Sequence, residues 1–134
     1  MPDSKKHSFT LIEVLVVIVI IGILAAVAVP NFIKTKYNAL SKEAVSNIKL
    51  IAAAEKIYKL ENNVYISCSN AANCNALLKL DLITSNWNYR VTLSAGVATI
   101  TATLTVNSQC TYTLTSRDFN AEPIKSSGCP AGMI

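Results

Sequence analysis

The stretch Phe9–Val29, FTLIEVLVVIVIIGILAAVAV, decides how the rest of this sequence is read. Its 21 residues carry one charge, Glu13, and no break before Pro30. As a helix rising about 1.5 Å per residue, the run spans roughly 30 Å, the thickness of a bilayer's hydrocarbon core. Ahead of it, Met1–Ser8 is short, polar and basic through Lys5, Lys6 and His7, and positive charge beside an apolar span is held on the cytoplasmic side. A cleaved secretory signal starts in the same way, but its apolar core is shorter, lacks carboxylates and ends at a small-residue cut. Ala25, Ala26 and Ala28 mimic such a cut, yet the helical pattern continues past them, which favours an anchor.

Beyond Pro30 the pattern becomes amphipathic. Ile33, Tyr37, Leu40, Ala44, Ile48, Ile51 and Tyr58 recur at three- and four-residue spacing, with most lysines elsewhere. Glu61-Asn62-Asn63 supplies a stop, so a helix of about fifty residues is expected, longer than so small a head requires. Residues 62–86 read as a connecting loop with one helical candidate at Ala72–Leu80. Trp87–Leu93, Val97–Val106 and Cys110–Thr115 are enriched in β-branched and aromatic residues, and the clusters Ser94-Ala95-Gly96 and Asn107-Ser108-Gln109 suit hairpins. Alternation places Val97, Thr99, Thr101, Thr103 and Thr105 outward and Ala98, Ile100, Ala102, Leu104 and Val106 against the helix. The expected order is leader 1–8, apolar helix 9–30 and head 31–134, the head comprising helix 31–61, loop 62–86, β-meander 87–115 and an irregular tail 116–134. The fold class is α+β.

The 134 residues bear a formal net charge of +4 with only 15% charged residues, and the basic ones are scattered, so no specific nucleic-acid partner is predicted. Tyr58, Tyr65, Trp87, Tyr89 and Tyr112 read as core or sheet pairs rather than a stacking platform. No histidine lies beyond His7, no glycine-rich phosphate loop is present and the acids are dispersed, so neither an enzyme nor a cofactor is expected. Calcium needs six to eight oxygens, and after the strands only Asp118 and Glu122 are at hand, so no metal site is expected either.

Cys68, Cys74, Cys110 and Cys129 all follow the apolar segment, and an even number in a small head beyond an anchor reads as a disulfide framework in an oxidising compartment. Zinc is the rival, but the spacings are not those of a C-x2-C pair. Three connectivities are open. Pairing Cys68 with Cys74 and Cys110 with Cys129 closes two local loops and is preferred, whereas a Cys68 to Cys129 bridge would staple the loop to the tail.

The residues KKHSFTLIEVLVVIVIIGILAAVAVPNF closely resemble the class III signal sequence and N-terminal helix of type IV pilins and type II secretion pseudopilins. The resemblance covers roughly the first quarter of the chain and rests on the basic leader, Phe9-Thr10-Leu11-Ile12-Glu13, Gly22 and Pro30. It implies the type IV pilin fold, a long spine helix packed on an antiparallel sheet of three or four strands. It also implies a prepilin peptidase cut between Ser8 and Phe9, where the family has Gly before the cut, followed by methylation of the Phe9 amine. Glu13 would pair with that amine on a neighbouring subunit and set the register of the fibre. The plainer reading of Glu13 is a carboxylate snorkelling to the headgroups, although an acid inside a membrane segment is presumed functional. Gly22 fits small-xxx-small packing with Ala26, and Pro30 removes a helical hydrogen bond; the resemblance makes the interval between them a hinge. The implied partners are further copies of the chain, the inner-membrane pilus or secretion machinery, the peptidase and the membrane. The implied location is the cytoplasmic membrane and then a surface filament. Against the pilin and pseudopilin readings stands a membrane-tethered exported binding domain that does not polymerise.

Overall fold

The computed structural model describes residues 9–134, and Ser8 lies outside the described residues. The elements are α1 (Leu11–Asn62), α2 (Ala71–Leu78), β1 (Trp87–Ser94), β2 (Val97–Leu104), β3 (Asn107–Thr115) and β4 (Ile124–Lys125). This is an α+β chain with one antiparallel sheet in the order β1-β2-β3-β4. Two units are distinguished, dividing after Lys36, six residues beyond Pro30.

In the first unit α1 is helical throughout, including at Pro30. Every residue from Phe9 to Lys36 is exposed. Pro30 has no N–H to give, so the carbonyl one turn earlier, that of Ala26, lacks its helical donor.

The second unit, Tyr37–Ile134, has one core. Ala44, Ile48, Ile51 and Ala52 of α1 cluster with the inward residues of the sheet: Trp87, Tyr89 and Val91 on β1, Ala98, Ile100, Ala102 and Leu104 on β2, and Tyr112 and Leu114 on β3. Burying each large apolar side chain stabilises by about 1.5–3 kcal/mol. The polar tips of its three large aromatic residues are satisfied. Trp87 Nε1 donates to the Leu40 carbonyl at 3.0 Å, Asn47 Nδ2 donates to the Tyr89 hydroxyl at 2.8 Å, and the Tyr112 hydroxyl donates to the Ile134 carbonyl at 2.6 Å. Burial pushes the Tyr89 phenol up to about 12; the Asn47 hydrogen bond lowers it and the negative charge of Glu43 raises it. The rings of Trp87 and Tyr112 form a T-shaped pair with centroids 5.6 Å apart.

Two polar residues also face the core, Ser41 and Glu55. The apolar stripe read from sequence misses both, because each stands seven residues from Ile48 on the same helix face. At the other end of the stripe, in the first unit, Ile33 is 46% exposed.

The α1 helix stops at Asn63, whose φ of 63° is the left-handed conformation common just past a helix end, and its N–H returns to the Lys59 carbonyl at 2.8 Å. The β1–β2 hairpin turns on Ala95 and Gly96, both with positive φ (48° and 77°), as a two-residue type I′ turn requires. The β2–β3 hairpin differs from the sequence expectation. It turns on Thr105 and Val106, and Asn107-Ser108-Gln109 already belongs to β3. The Asn107 side chain accepts from the Gln109 N–H at 3.1 Å, and the strand pairing shifts between Thr103 and Leu104. Val106 therefore sits at the hairpin tip, 89% exposed, instead of against the helix.

The inward and outward alternation holds along all of β2. Its outward threonines continue across the sheet, with Thr99 between Thr92 and Thr115, and Thr103 beside Thr111. The tail is less irregular than expected, for β4 pairs with Tyr112 and Thr113 as a fourth strand.

Candidate assembly site

The start of α1 is built by its own sequence. Thr10 precedes the first helical residue, and both its carbonyl (3.1 Å) and its hydroxyl (3.4 Å) accept from the Glu13 N–H. Thr10-Leu11-Ile12-Glu13 is thus the T-x-x-E signature of a helix N-terminus, a role the sequence reading did not assign to Thr10. A negative side chain in the first turn also meets the positive end of the helix dipole. Among the described residues, Glu13 has no ion-pair partner. Its carboxylate stands exposed within an exposed apolar surface.

That surface is extensive. No residue of the most apolar part of α1 is buried, and the helix is long and apolar enough to cross a membrane. Monomeric soluble proteins rarely expose contiguous apolar patches larger than a few hundred Å². Lipid chains or like helices are the surroundings that suit such a side-chain set. Gly22 lies in this run with open space around it, since a Cβ placed there would meet nothing within 4 Å. Among the described residues no contact demands glycine there, and Pro30 lies eight residues further along the same helix.

In the second unit Cys68 is bonded to Cys74 and Cys110 to Cys129. The first bridge ties the loop to α2; the second ties the tail to β3. The tail is held further by a serine clamp, in which Ser126 Oγ donates to the Gln109 carbonyl at 2.7 Å and accepts from the Thr111 N–H at 2.9 Å. Gly128 completes it, because a Cβ there would lie 2.5 Å from the Gln109 carbonyl oxygen. Among the described residues no three His, Cys, Asp or Glu side chains come together as metal ligands.

Residues 3–29 match the family model described as the prokaryotic N-terminal methylation motif. The chain is 42% identical over 68 residues to the type IV major pilin protein PilA of Myxococcus xanthus, a stretch covering 51% of this chain and 31% of that protein. It is 48% identical over 65 residues to the type II secretion system core protein G of Aeromonas hydrophila, covering 48% of this chain and 46% of the relative. The same core protein of Pectobacterium carotovorum is 46% identical over 63 residues, 47% of this chain and 40% of the relative. The matches thus span less than half the length of these curated relatives. No solved structure matches the chain. The apolar helix, the methylation motif and the small antiparallel sheet are together consistent with the pilin fold.

Proposed function

We propose that this chain is the structural subunit of a type IV pilus, held in the membrane by its N-terminal helix and then polymerised into a filament used for adhesion, motility or DNA uptake. The observation that carries this reading is the single carboxylate of Glu13, unpaired among the described residues, on a helix whose apolar side chains are exposed from end to end of the span. Similarity to the M. xanthus major pilin supports it. In this reading a prepilin peptidase removes Met1–Ser8, the new amine of Phe9 is methylated, and that amine pairs with Glu13 of a neighbouring copy. Pairing neutralises two charges that would otherwise be buried in apolar surroundings, and fixes axial register. The interval Gly22–Pro30 is the hinge, since it already lacks one helical hydrogen bond at Pro30. The chain passes from cytoplasmic membrane to cell surface, with the assembly machinery and other copies as partners.

The experiment is imaging of surface fibres in cells carrying Glu13→Ala. Loss of fibres with the protein still in the membrane is expected; undiminished fibres would overturn the registry role. Cryo-microscopy of the fibres reads the hinge, and an unbroken helix over residues 22–30 would remove it.

A second reading, the pseudopilin of a type II secretion system, is favoured by the identity to core protein G in several bacteria. It predicts that deleting the chain blocks protein secretion and leaves surface pili intact. The two disulfides that brace loop and tail favour the pilus, where subunits remain exposed outside the cell.

A further inference from the structure

Two patches of the second unit lie at opposite edges of the sheet and complement one another. At the β4 edge a pocket of about 460 Å³ is lined by Val45, Pro123 and Ile134 together with the charged Lys42, Lys125 and Glu122. Lys49 pairs with the nearby Glu122. Lys125 donates to the Met133 carbonyl, which uses one of its three donors and leaves its charge in place. With Glu122 paired to Lys49, the uncompensated charges lining the pocket are the cations of Lys42 and Lys125, set beside apolar side chains.

At the opposite edge, just before β1, Glu43, Asp81 and Ile83 line a second concavity together with Asn86. Ile83 is 69% exposed, an apolar side chain beside two carboxylates. It is held rigidly. Its neighbour Leu82 is buried and clamped by Asn75, whose side chain accepts from the Leu82 N–H at 2.8 Å and donates to its carbonyl at 3.3 Å. Asn86 Nδ2 likewise fixes Glu43 Oε2 at 2.9 Å. On α1 the two patches take opposite flanks, Lys42, Val45 and Ser46 on one and Glu43 and Asn47 on the other, as 3.6 residues per turn dictates.

We infer that Ile83, with Asp81 beside it, is the knob that docks into the Lys42 and Lys125 pocket of a second copy of this chain. Knob and pocket belong to different edges of one sheet, so the contact is heterologous: each copy uses its knob on one neighbour and its pocket on another. Such contacts propagate into an open helix or close into a ring, in contrast to a two-fold dimer. The pocket has ample room for one branched aliphatic side chain, and the charges are placed to orient approach and exclude reversed docking. Pre-ordering of the knob by Asn75 lowers the entropy lost on docking. The inference rests on the filament reading and adds a contact between heads to it.

The test uses the full chain in its own membrane, with Ile83 replaced by a photo-crosslinking phenylalanine. An intermolecular adduct on the peptides carrying Lys42–Ser46 or Pro123–Lys125 is expected. Lys42→Glu should lower its yield about tenfold by placing like charges together, and adding Asp81→Lys should restore it. Both side chains are exposed, so neither change threatens folding. An absent adduct, one on another surface, or a yield indifferent to Lys42→Glu would overturn the contact. Fibres imaged in the same cells separate the two claims. Fibres without the adduct remove the head contact alone, and the adduct without fibres removes the filament reading alone.

Discussion

Glu55 Oε2 accepts the backbone N–H of Ile66 at 3.1 Å while its other carboxylate oxygen, equally buried, has no partner. One side chain thereby ties the loop after α1 back onto the helix. Burial raises the Glu55 pKa above its ordinary value of 4.5, and the Ile66 hydrogen bond offsets part of that rise. A carboxyl with a raised folded-state pKa binds its proton more tightly folded than unfolded. Stability should therefore be greatest below about pH 4.5 as far as this group is concerned, and fall as pH rises through the folded pKa. Denaturation of the full chain in detergent across pH 4–8 should show that decline, and Glu55→Gln, which keeps an acceptor for Ile66, should flatten it. Glu55→Ala should instead destabilise at every pH by about 1–3 kcal/mol, because the Ile66 N–H is left unsatisfied.

The β1–β2 turn carries a correctable strain. Ala95 adopts a φ of 48°, which costs an L-residue with a Cβ about 1–2 kcal/mol over glycine. Ala95→Gly should raise stability by about 0.5–1 kcal/mol, the relief being partly offset by the more flexible unfolded chain. Thermal unfolding would register it as a rise of a few degrees; a fall would show that the turn is held by something other than its own backbone preference.

Gly128 makes the opposite case. A Cβ there would run into the Gln109 carbonyl, and the Gly128 carbonyl accepts from Asn107 Nδ2 at 3.0 Å. The obstructing atoms are mostly backbone, so Gly128→Ala should cost about 1–3 kcal/mol. Removing the neighbouring bridge with Cys110→Ala and Cys129→Ala should cost about 2–5 kcal/mol. Since both act on the same tail, the combined loss should be less than the sum, as denaturant melts of the single and combined variants would reveal.

The parts legible in the sequence were those written in periodicity. The stripe through Ala44, Ile48 and Ile51 and the alternation from Val97 to Leu104 each repeat a simple spacing and are buried as it implies, whereas the unbroken apolar run from Phe9 to Val29 is legible by its length and stands exposed. What escaped was set by single polar groups. Ser41 and Glu55 occupy core positions that a count of apolar residues skips. Asn107 bends its own backbone with its side chain, which moved the second hairpin turn to Thr105 and Val106. Thr10 is legible as a cap only once the helix start is known, and the pairing of distant edges by Ile83 and the lysine pocket depends on tertiary placement that no local pattern encodes.

The capping geometry of Glu13 and its proposed registry role can be separated by substitution. Glu13 is the third helical residue of a T-x-x-E cap whose Thr10 hydroxyl lies 3.4 Å from its N–H, and it is the one acid of the apolar span. Glutamine serves as well as glutamate at that capping position. If local capping were its whole role, Glu13→Gln would leave fibres undiminished, and Thr10→Ala, which removes the cap hydroxyl at a cost of about 0.5–2 kcal/mol, would be the more harmful change. If Glu13 neutralises an amine on a neighbouring copy, the order reverses. Breaking one half of a buried ion pair costs about 3–5 kcal/mol, more than a hundredfold in an equilibrium, so Glu13→Gln should abolish fibres while the helix and its membrane insertion persist. Counting fibres per cell for the two variants, with membrane fractionation as the control, decides between the roles. The registry reading requires that Thr10→Ala retain most fibres and Glu13→Gln almost none.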